Sequence, residues 1–455
     1  MMNWIWLGII ITSILCAGFT GNMHQVTLRS FESAKEAVEL AINLIGIMAL
    51  WLGIMRVVQD AGLLRIIARV LRRPMRWLFP DVPENHPAMS AMIMNFGANM
   101  LGLANAATPF GIKAMIELDK LNTRKGVATD AMCLFLAINT SSLALLPTGV
   151  MGYRAAAGSN DPASIWLPTL LATACSTLVG ITVAKLLVRM RRFNVENYPP
   201  AADEDDESSG GLLEESAKEK GTDEQSDVDE SKFLGKGERS GLATRIFIWL
   251  CIATFLFAAV WHYAHWWQQV PEQGSGGRLA NLFKDFFSSW AIPALMGGLL
   301  LFGLSRRVKV YESLVEGAKE GFKVAVRIIP YLVAIIVAVA MFKASGAMDL
   351  LKRTVGMVTG ALGMPAEVLP MAIIRPLSGS GAFGFMGSIF TEYGPDSFLG
   401  QMVSVMQGST ETTLYVLAVY FGAVGVYRVR HALATGLTAD LAGIIAAVAF
   451  CHLFF

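Results

Sequence analysis

The sequence predicts an all-α polytopic membrane protein: two inverted structural repeats with re-entrant helical hairpins, about nine membrane crossings in addition to the hairpins. Three observations carry this expectation. The chain is 54% hydrophobic and only 16% charged, against ~25% charged residues in soluble domains. Continuously apolar runs recur throughout, among them Trp4–Thr20, Ile165–Val188, Ile246–Tyr263 and Leu441–Phe455. They lack the alternation of barrel strands. The two ends of the chain also resemble each other across a charged middle.

The expected crossings are residues 4–20, 36–56, 128–147, 165–188, 245–263, 289–304, 326–343, 401–421 and 433–453, with hairpins at 88–118 and 367–392. The first helix lacks a basic leader and a small-x-small cleavage site, so it reads as a retained helix. Residues 194–240 carry Pro199-Pro200 and the run Asp203 to Glu207, and read as an acidic flexible cytoplasmic linker. This divides the chain into a first repeat at 1–193, the linker at 194–240, an extra transmembrane helix with its external loop at 241–287, and a second repeat at 288–455.

A constant offset of 284 residues places Lys35-Glu36 on Lys319-Glu320, Ile45 on Ile329, and Asp60-Ala61-Gly62-Leu63 on Ala344-Ser345-Gly346-Ala347. In each half a small-residue polar segment follows, then a polar interruption of an apolar helix, then a final apolar helix. Four elements in one order indicate duplication. Basic residues favour the inverted arrangement: the linker aside, eighteen fall on the inner side, including the Arg65–Arg76 cluster, and seven on the outer. A surface-lying amphipathic helix at 63–78 would leave a parallel arrangement open.

Inverted repeats with matched interruptions point to solute handling near the membrane midplane. Arg375, beside Pro376 and the Gly/Ser segment with Ser378 and Ser380, suits a carboxylate or phosphate; its bland reading is an interfacial anchor. Glu411, in Gln407-Gly408-Ser409-Thr410-Glu411-Thr412-Thr413, must be paired, protonated or bound to a cation if buried. Asn99, Asn105 and Thr108, with Pro109 marking a break or kink, and Asn139, Thr140 and Ser141 are the neutral counterparts. They are candidates for a polar metabolite, or simply glue between helices. The expected substrate-binding set is therefore Asn99, Asn105, Thr108, Asn139, Thr140, Ser141, Arg375, Ser378, Ser380, Gln407, Ser409 and Thr410. Glu411, Thr412 and Asp440 form the expected ion-coupling set. Asp130 reads as a surface or capping residue.

Other chemistries find no support. The five cysteines sit in apolar runs, and neither they nor the six histidines show metal-ligand spacing, so no metal and no catalytic residue is expected. His262 and His265, among Trp261, Trp266 and Trp267, look like an interfacial aromatic belt. Gly379 to Gly384 lacks the strand and the Lys-Ser/Thr of a phosphate loop. No cofactor is expected beyond H+ or Na+ as coupling ion, and no nucleic acid as partner.

The segment from Asn95-Phe96-Gly97-Ala98-Asn99 to Pro109-Phe110-Gly111 resembles spore maturation protein A. The segment Ile373-Ile374-Arg375-Pro376-Leu377-Ser378-Gly379-Ser380, with Gln407 to Thr413, resembles spore maturation protein B. The chain thus resembles a fusion of the two, in the nucleoside-recognition or Gate domain family. The resemblance implies a site in the hairpins and the interrupted helices. Two functions fit the sequence. One is a secondary transporter or exporter of a small polar or anionic solute, nucleoside-like solutes included, coupled to H+ or Na+, in the bacterial inner membrane, among lipids and able to oligomerise with itself. The other is a non-transporting scaffold supporting envelope or spore maturation. Neither is an enzyme.

Overall fold

The computed structural model describes residues 2–102, 104–141, 143–198, 241–266, 290–350, 353–354, 360 and 363–455. Most of the expected linker and the external loop after residue 266 lie outside the described residues. The first half runs through α1 (Met2–Thr20), α2 (Met23–Asp60), α3 (Leu63–Leu78), α4 (Pro87–Met100), α5 (Ala104–Lys120), α6 (Asp130–Ser141), α7 (Thr148–Ala156) and α8 (Trp166–Val188). The second half holds α9 (Leu242–Trp266), α10 (Ala291–Ser305), α11 (Val310–Ala344), α12 (Leu369–Ile374), α13 (Gly379–Tyr393), α14 (Phe398–Ser409), α15 (Thr413–Gly422) and α16 (Ala432–Phe454).

The repeat is visible residue for residue. α2 ends at Asp60 and α11 at Ala344, 284 positions apart. Two residues on, Gly62 and Gly346 both take the left-handed conformation, with φ of 74° and 81°, which a side chain would resist. The hairpin α4–α5 corresponds to α12–α13. The pair α6–α7 corresponds to α14–α15, and α8 to α16, each of 23 residues.

Contacts fix the repeats as inverted. α2 and α11 cross antiparallel, because a Cβ on Gly53 would lie 2.7 Å from the Leu314 carbonyl oxygen and one on Gly321 2.6 Å from the Ala49 Cα. Small residues are what allow backbones this close within a membrane. α8 leaves its end near Arg430, whose guanidinium takes the Phe193 carbonyl. α16 starts there and ends near Phe398, whose ring lies 4.9 Å from that of His452. Equivalent helices therefore run in opposite directions.

The cores are exchanged between repeats. One joins Met92, Phe96, Met115 and Phe135 of the first half to Leu417, Tyr420 and Phe421 of α15. Another joins Val150, Met151 and Tyr153 of α7 to Phe385, Ile389 and Met406 of the second half. Tyr153 packs 5.7 Å from the rings of both Phe383 and Phe390. Each hairpin thus rests on the other repeat's broken helix. α8, α9 and α16 are each long and apolar enough to cross a membrane. α9 exposes Ile246, Trp249, Leu250, Phe257 and Val260, which suits a lipid-facing helix.

Several expectations change. The crossing at 36–56 is one stretch of the 38-residue α2. The crossings at 128–147 and 401–421 are broken helices extending to Ala156 and Gly422. Pro109 lies inside α5, which continues through it. It is the sixth residue of the helix, where it forgoes the backbone hydrogen bond to the Asn105 carbonyl without ending the helix. Asp130 opens α6 but is not just a surface cap, because Arg430 pairs with it at 2.7 Å.

Candidate functional site

The site is built where the two broken helices stop in mid-layer. α6 ends at Ser141, and Pro147, which cannot donate a backbone hydrogen bond, precedes α7. α14 ends at Ser409; Thr410 is extended, with φ −143° and ψ 167°, and α15 begins at Thr413. Breaking a helix frees polar backbone that must find partners at membrane depth. Each hairpin supplies one to its own break. The Leu145 N–H donates to the Met100 carbonyl at 3.0 Å, and the Leu414 N–H to the Pro376 carbonyl at 3.1 Å. Across the repeats, the Glu411 N–H donates to the Thr140 carbonyl at 2.7 Å. The Trp166 indole takes the Leu145 carbonyl at 2.7 Å.

The two hairpins grip the breaks with different chemistry. In the first half, the Asn99 amide donates to the Asn139 side-chain oxygen at 3.0 Å. In the second, Arg375 is 3% exposed. Its Nη1 donates to the Thr412 hydroxyl at 3.1 Å and its Nη2 to the Thr410 carbonyl. Glu411 lies 3.7 Å from the same guanidinium, and its side chain is 48% exposed. The start of α13 faces this cluster: a Cβ on Gly379 would meet the Thr412 hydroxyl at 3.0 Å. Ser378 caps that helix by accepting from the Gly381 N–H at 3.0 Å, with the Ser380 hydroxyl 3.4 Å away.

The remaining expected residues fall as follows. Thr140, Ser141 and Ser409 turn their hydroxyls back onto the carbonyls of Ala137, Ile138 and Met406. Gln407 is buried, and its side-chain oxygen has no hydrogen-bond partner. Asp440 is buried in α16 and accepts from the Thr413 hydroxyl at 2.6 Å. Thr108 is half-buried in α5. The Asn105 side chain lies outside the described residues. Among the described residues no group of three His, Cys, Asp or Glu could hold a metal ion.

Sequence reading missed the pairs that join the repeats. Asn95 donates to the Ala107 carbonyl at 2.7 Å and to the Tyr420 hydroxyl at 3.2 Å. Arg154 is fully buried at the end of α7 and donates to the Pro395 carbonyl at 2.6 Å and to Asp396 at 2.9 Å. Arg430 after α15 donates to the Ala128 carbonyl at 3.0 Å and pairs with Asp130. The end of each broken helix is thus latched by an arginine to the start of the other. The signal was present: Asp130 and Asp396 stand 266 apart, as do Trp166 and Ala432, which open α8 and α16. Next to Arg430, outside the spanning segments, His431 is buried with neither ring nitrogen hydrogen-bonded. Burial first, and then the neighbouring guanidinium, push its imidazole down to about 4.

Fold and site together define an integral membrane protein of two inverted helical repeats that meet at paired helix breaks. The nucleoside recognition (Gate) family model matches residues 41–157 and 325–427, two stretches that begin 284 residues apart and each close just past a broken helix. Spore maturation protein B of Bacillus subtilis (strain 168) is 51% identical over 171 residues, 38% of this chain and 96% of that protein. Spore maturation protein A of the same organism is 38% identical over 192 residues, 42% of this chain and 98% of that protein. The chain belongs to the spore maturation protein A and B family of Gate-domain proteins, with both parts in one polypeptide. The crystal structure of the Alcanivorax borkumensis YdaH transporter aligns with a TM-score of 0.41 at 12% identity, over 99% of this chain and 96% of that chain.

Proposed function

We propose that this protein is a secondary transporter or exporter of a small polar or anionic solute, nucleoside-like solutes included, driven by an H+ or Na+ gradient across the bacterial inner membrane. It would need no cofactor and perform no catalysis. The observation that carries the reading is the pair of opposed helix breaks, each held by its own hairpin, around Arg375 and the half-exposed Glu411. Broken helices at equivalent places in inverted repeats are how membrane transporters bind polar cargo near the midplane. Arg375 would orient an anionic group, with Asn99, Asn139, Ser378 and Ser380 completing the polar lining and Glu411 at the solute path. Thr108, Asn105, Thr140, Ser141, Gln407, Ser409 and Thr410 remain part of the proposed set, and Thr412 and Asp440 join Glu411 as coupling residues. Rocking of one repeat against the other would expose the breaks to each side in turn.

One observation favours the scaffold reading instead. Arg375 already has partners in Thr412, Thr410 and Glu411, as a purely structural arginine would. Proteoliposome flux separates the two. Labelled metabolite pools are presented with and without ion gradients to the parent, Arg375→Ala and Glu411→Gln. Gradient-dependent flux lost in both variants supports transport. Absence of flux from folded, reconstituted parent protein favours the scaffold.

A further inference from the structure

We infer that Asp440, with Thr413 and Thr410, forms a binding site for Na+, a dehydrated monovalent cation held by oxygen atoms alone. As the coupling-ion site it rests on the transport reading; as a binding site it stands on its own geometry.

Gly436, Asp440 and Gly443 lie four and three residues apart, on one face of α16, and that face lies against both helix breaks. A Cβ on Gly436 would meet Thr413 Cγ2 at 2.6 Å and the Thr140 hydroxyl at 3.6 Å. One on Gly443 would meet Thr410 Cγ2 at 2.5 Å and Ser176 Cβ at 3.2 Å. Glycine at both places brings the threonines against the α16 backbone, on either side of the Asp440 carboxylate. That carboxylate is 1% exposed. One of its oxygens accepts from Thr413 at 2.6 Å. The other, Oδ1, is buried without a hydrogen-bond partner, and so is the Thr410 hydroxyl.

A buried carboxylate oxygen left without a partner is costly. Among the described residues no arginine or lysine forms an ion pair with Asp440, and Arg375 is already paired with Glu411 at 3.7 Å. When deprotonated, Asp440 adds to the centre one negative charge that the Arg375–Glu411 pair does not balance. The Thr413 hydroxyl bonds to the Asp440 carboxylate, and the Thr410 hydroxyl stands without a partner against the same face of α16; hydroxyl and carboxylate oxygens are ligands of a hard cation. α6 and α14 both end at this centre. Their last carbonyls lack intrahelical partners and carry the negative end of the helix dipole. One carboxylate charge with hydroxyl oxygens beside it fits a monovalent cation.

The test is Na+ binding by the intact protein in detergent, read as a thermal shift and as bound 22Na+. Na+ is titrated against choline and against K+ at constant ionic strength. The expected result is a saturable, Na+-selective stabilisation of the parent. Asp440→Asn should weaken apparent affinity by about tenfold or more, the equivalent of about 1.4 kcal/mol, and Thr413→Val by a smaller factor. Thr410→Val supplies a second variant, which keeps the carboxylate, should Asp440→Asn fail to fold. A parent that binds no 22Na+, an equal response to choline or K+, or unchanged Na+ affinity in folded Asp440→Asn would each overturn the site. Na+ binding lost only on Asp440→Asn, alongside absent solute flux, would retire the transport reading and leave the site standing.

Discussion

Replacing Gly321 by alanine tests the close backbone approach at the α2–α11 crossing. The new Cβ would lie 2.6 Å from Ala49 Cα, 2.7 Å from Ala49 N and 2.7 Å from the Met48 carbonyl oxygen. Comfortable carbon contacts lie at about 3.5–4.0 Å, so the helices must separate locally by about 1 Å. All three atoms are backbone, and no side-chain rotation relieves them. Overpacking of this kind costs about 1–3 kcal/mol, and the upper part of that range applies. Alanine's better helix propensity returns up to about 1 kcal/mol, leaving a net loss of about 2 kcal/mol. Gly297→Ala in α10 is the matched control, since its Cβ would meet nothing within 4 Å. Apparent melting temperature in detergent is the assay. Gly321→Ala should melt several degrees below Gly297→Ala; equal melting would refute the argument.

Three other perturbations address the latches. Arg154→Met removes a fully buried guanidinium and the donor to the Pro395 and Asp161 carbonyls, while Asp396, a third exposed, regains water; the expected loss is about 1–3 kcal/mol. In a double-mutant cycle with Asp396→Asn, the coupling should reach about 1 kcal/mol or more, and additive losses would mean that the pair carries no energy. Tyr420→Phe leaves Asn95 with the Ala107 carbonyl but without the phenol, and should lower stability by about 1 kcal/mol, measured in the same melts. His431 binds its proton only near pH 4 when folded, against an ordinary value of 6.5. Between these limits the unfolded chain holds the extra proton, so stability falls as pH drops from 6.5 towards 4 and is unaffected above 6.5. His431→Leu should flatten that part of the melting-temperature profile; an unchanged profile would exclude this histidine as its source.

Periodicity and self-similarity carry the repeat well, because an apolar helix and a left-handed glycine are local requirements. Gly62 and Gly346 fall at the offset that Lys35 and Lys319 already indicate. The helix breaks are legible for the same reason, with Asn139 to Ser142 and Gln407 to Thr413 interrupting apolar runs. What was not legible is partnership. Nothing in the sequence pairs Arg154 or Arg430 with a partner, since Asp396 and Asp130 lie in the opposite half of the chain. Nothing local distinguishes an arginine at a membrane surface from one buried against another repeat. Glu411 stands 3.7 Å from Arg375, because both residues belong to one hairpin and its adjoining break.

The exchanged cores and the two arginine latches have a consequence for assembly. α7 completes the core of the second half, and α15 that of the first. Either half alone would present its partner's socket empty, with an unpaired Asp130 or Asp396 at the rim. Joining the halves in one polypeptide turns their docking from an encounter between two molecules into an intramolecular event at high effective concentration. It also sets their stoichiometry at one to one, with no excess half left exposing an unfilled apolar socket.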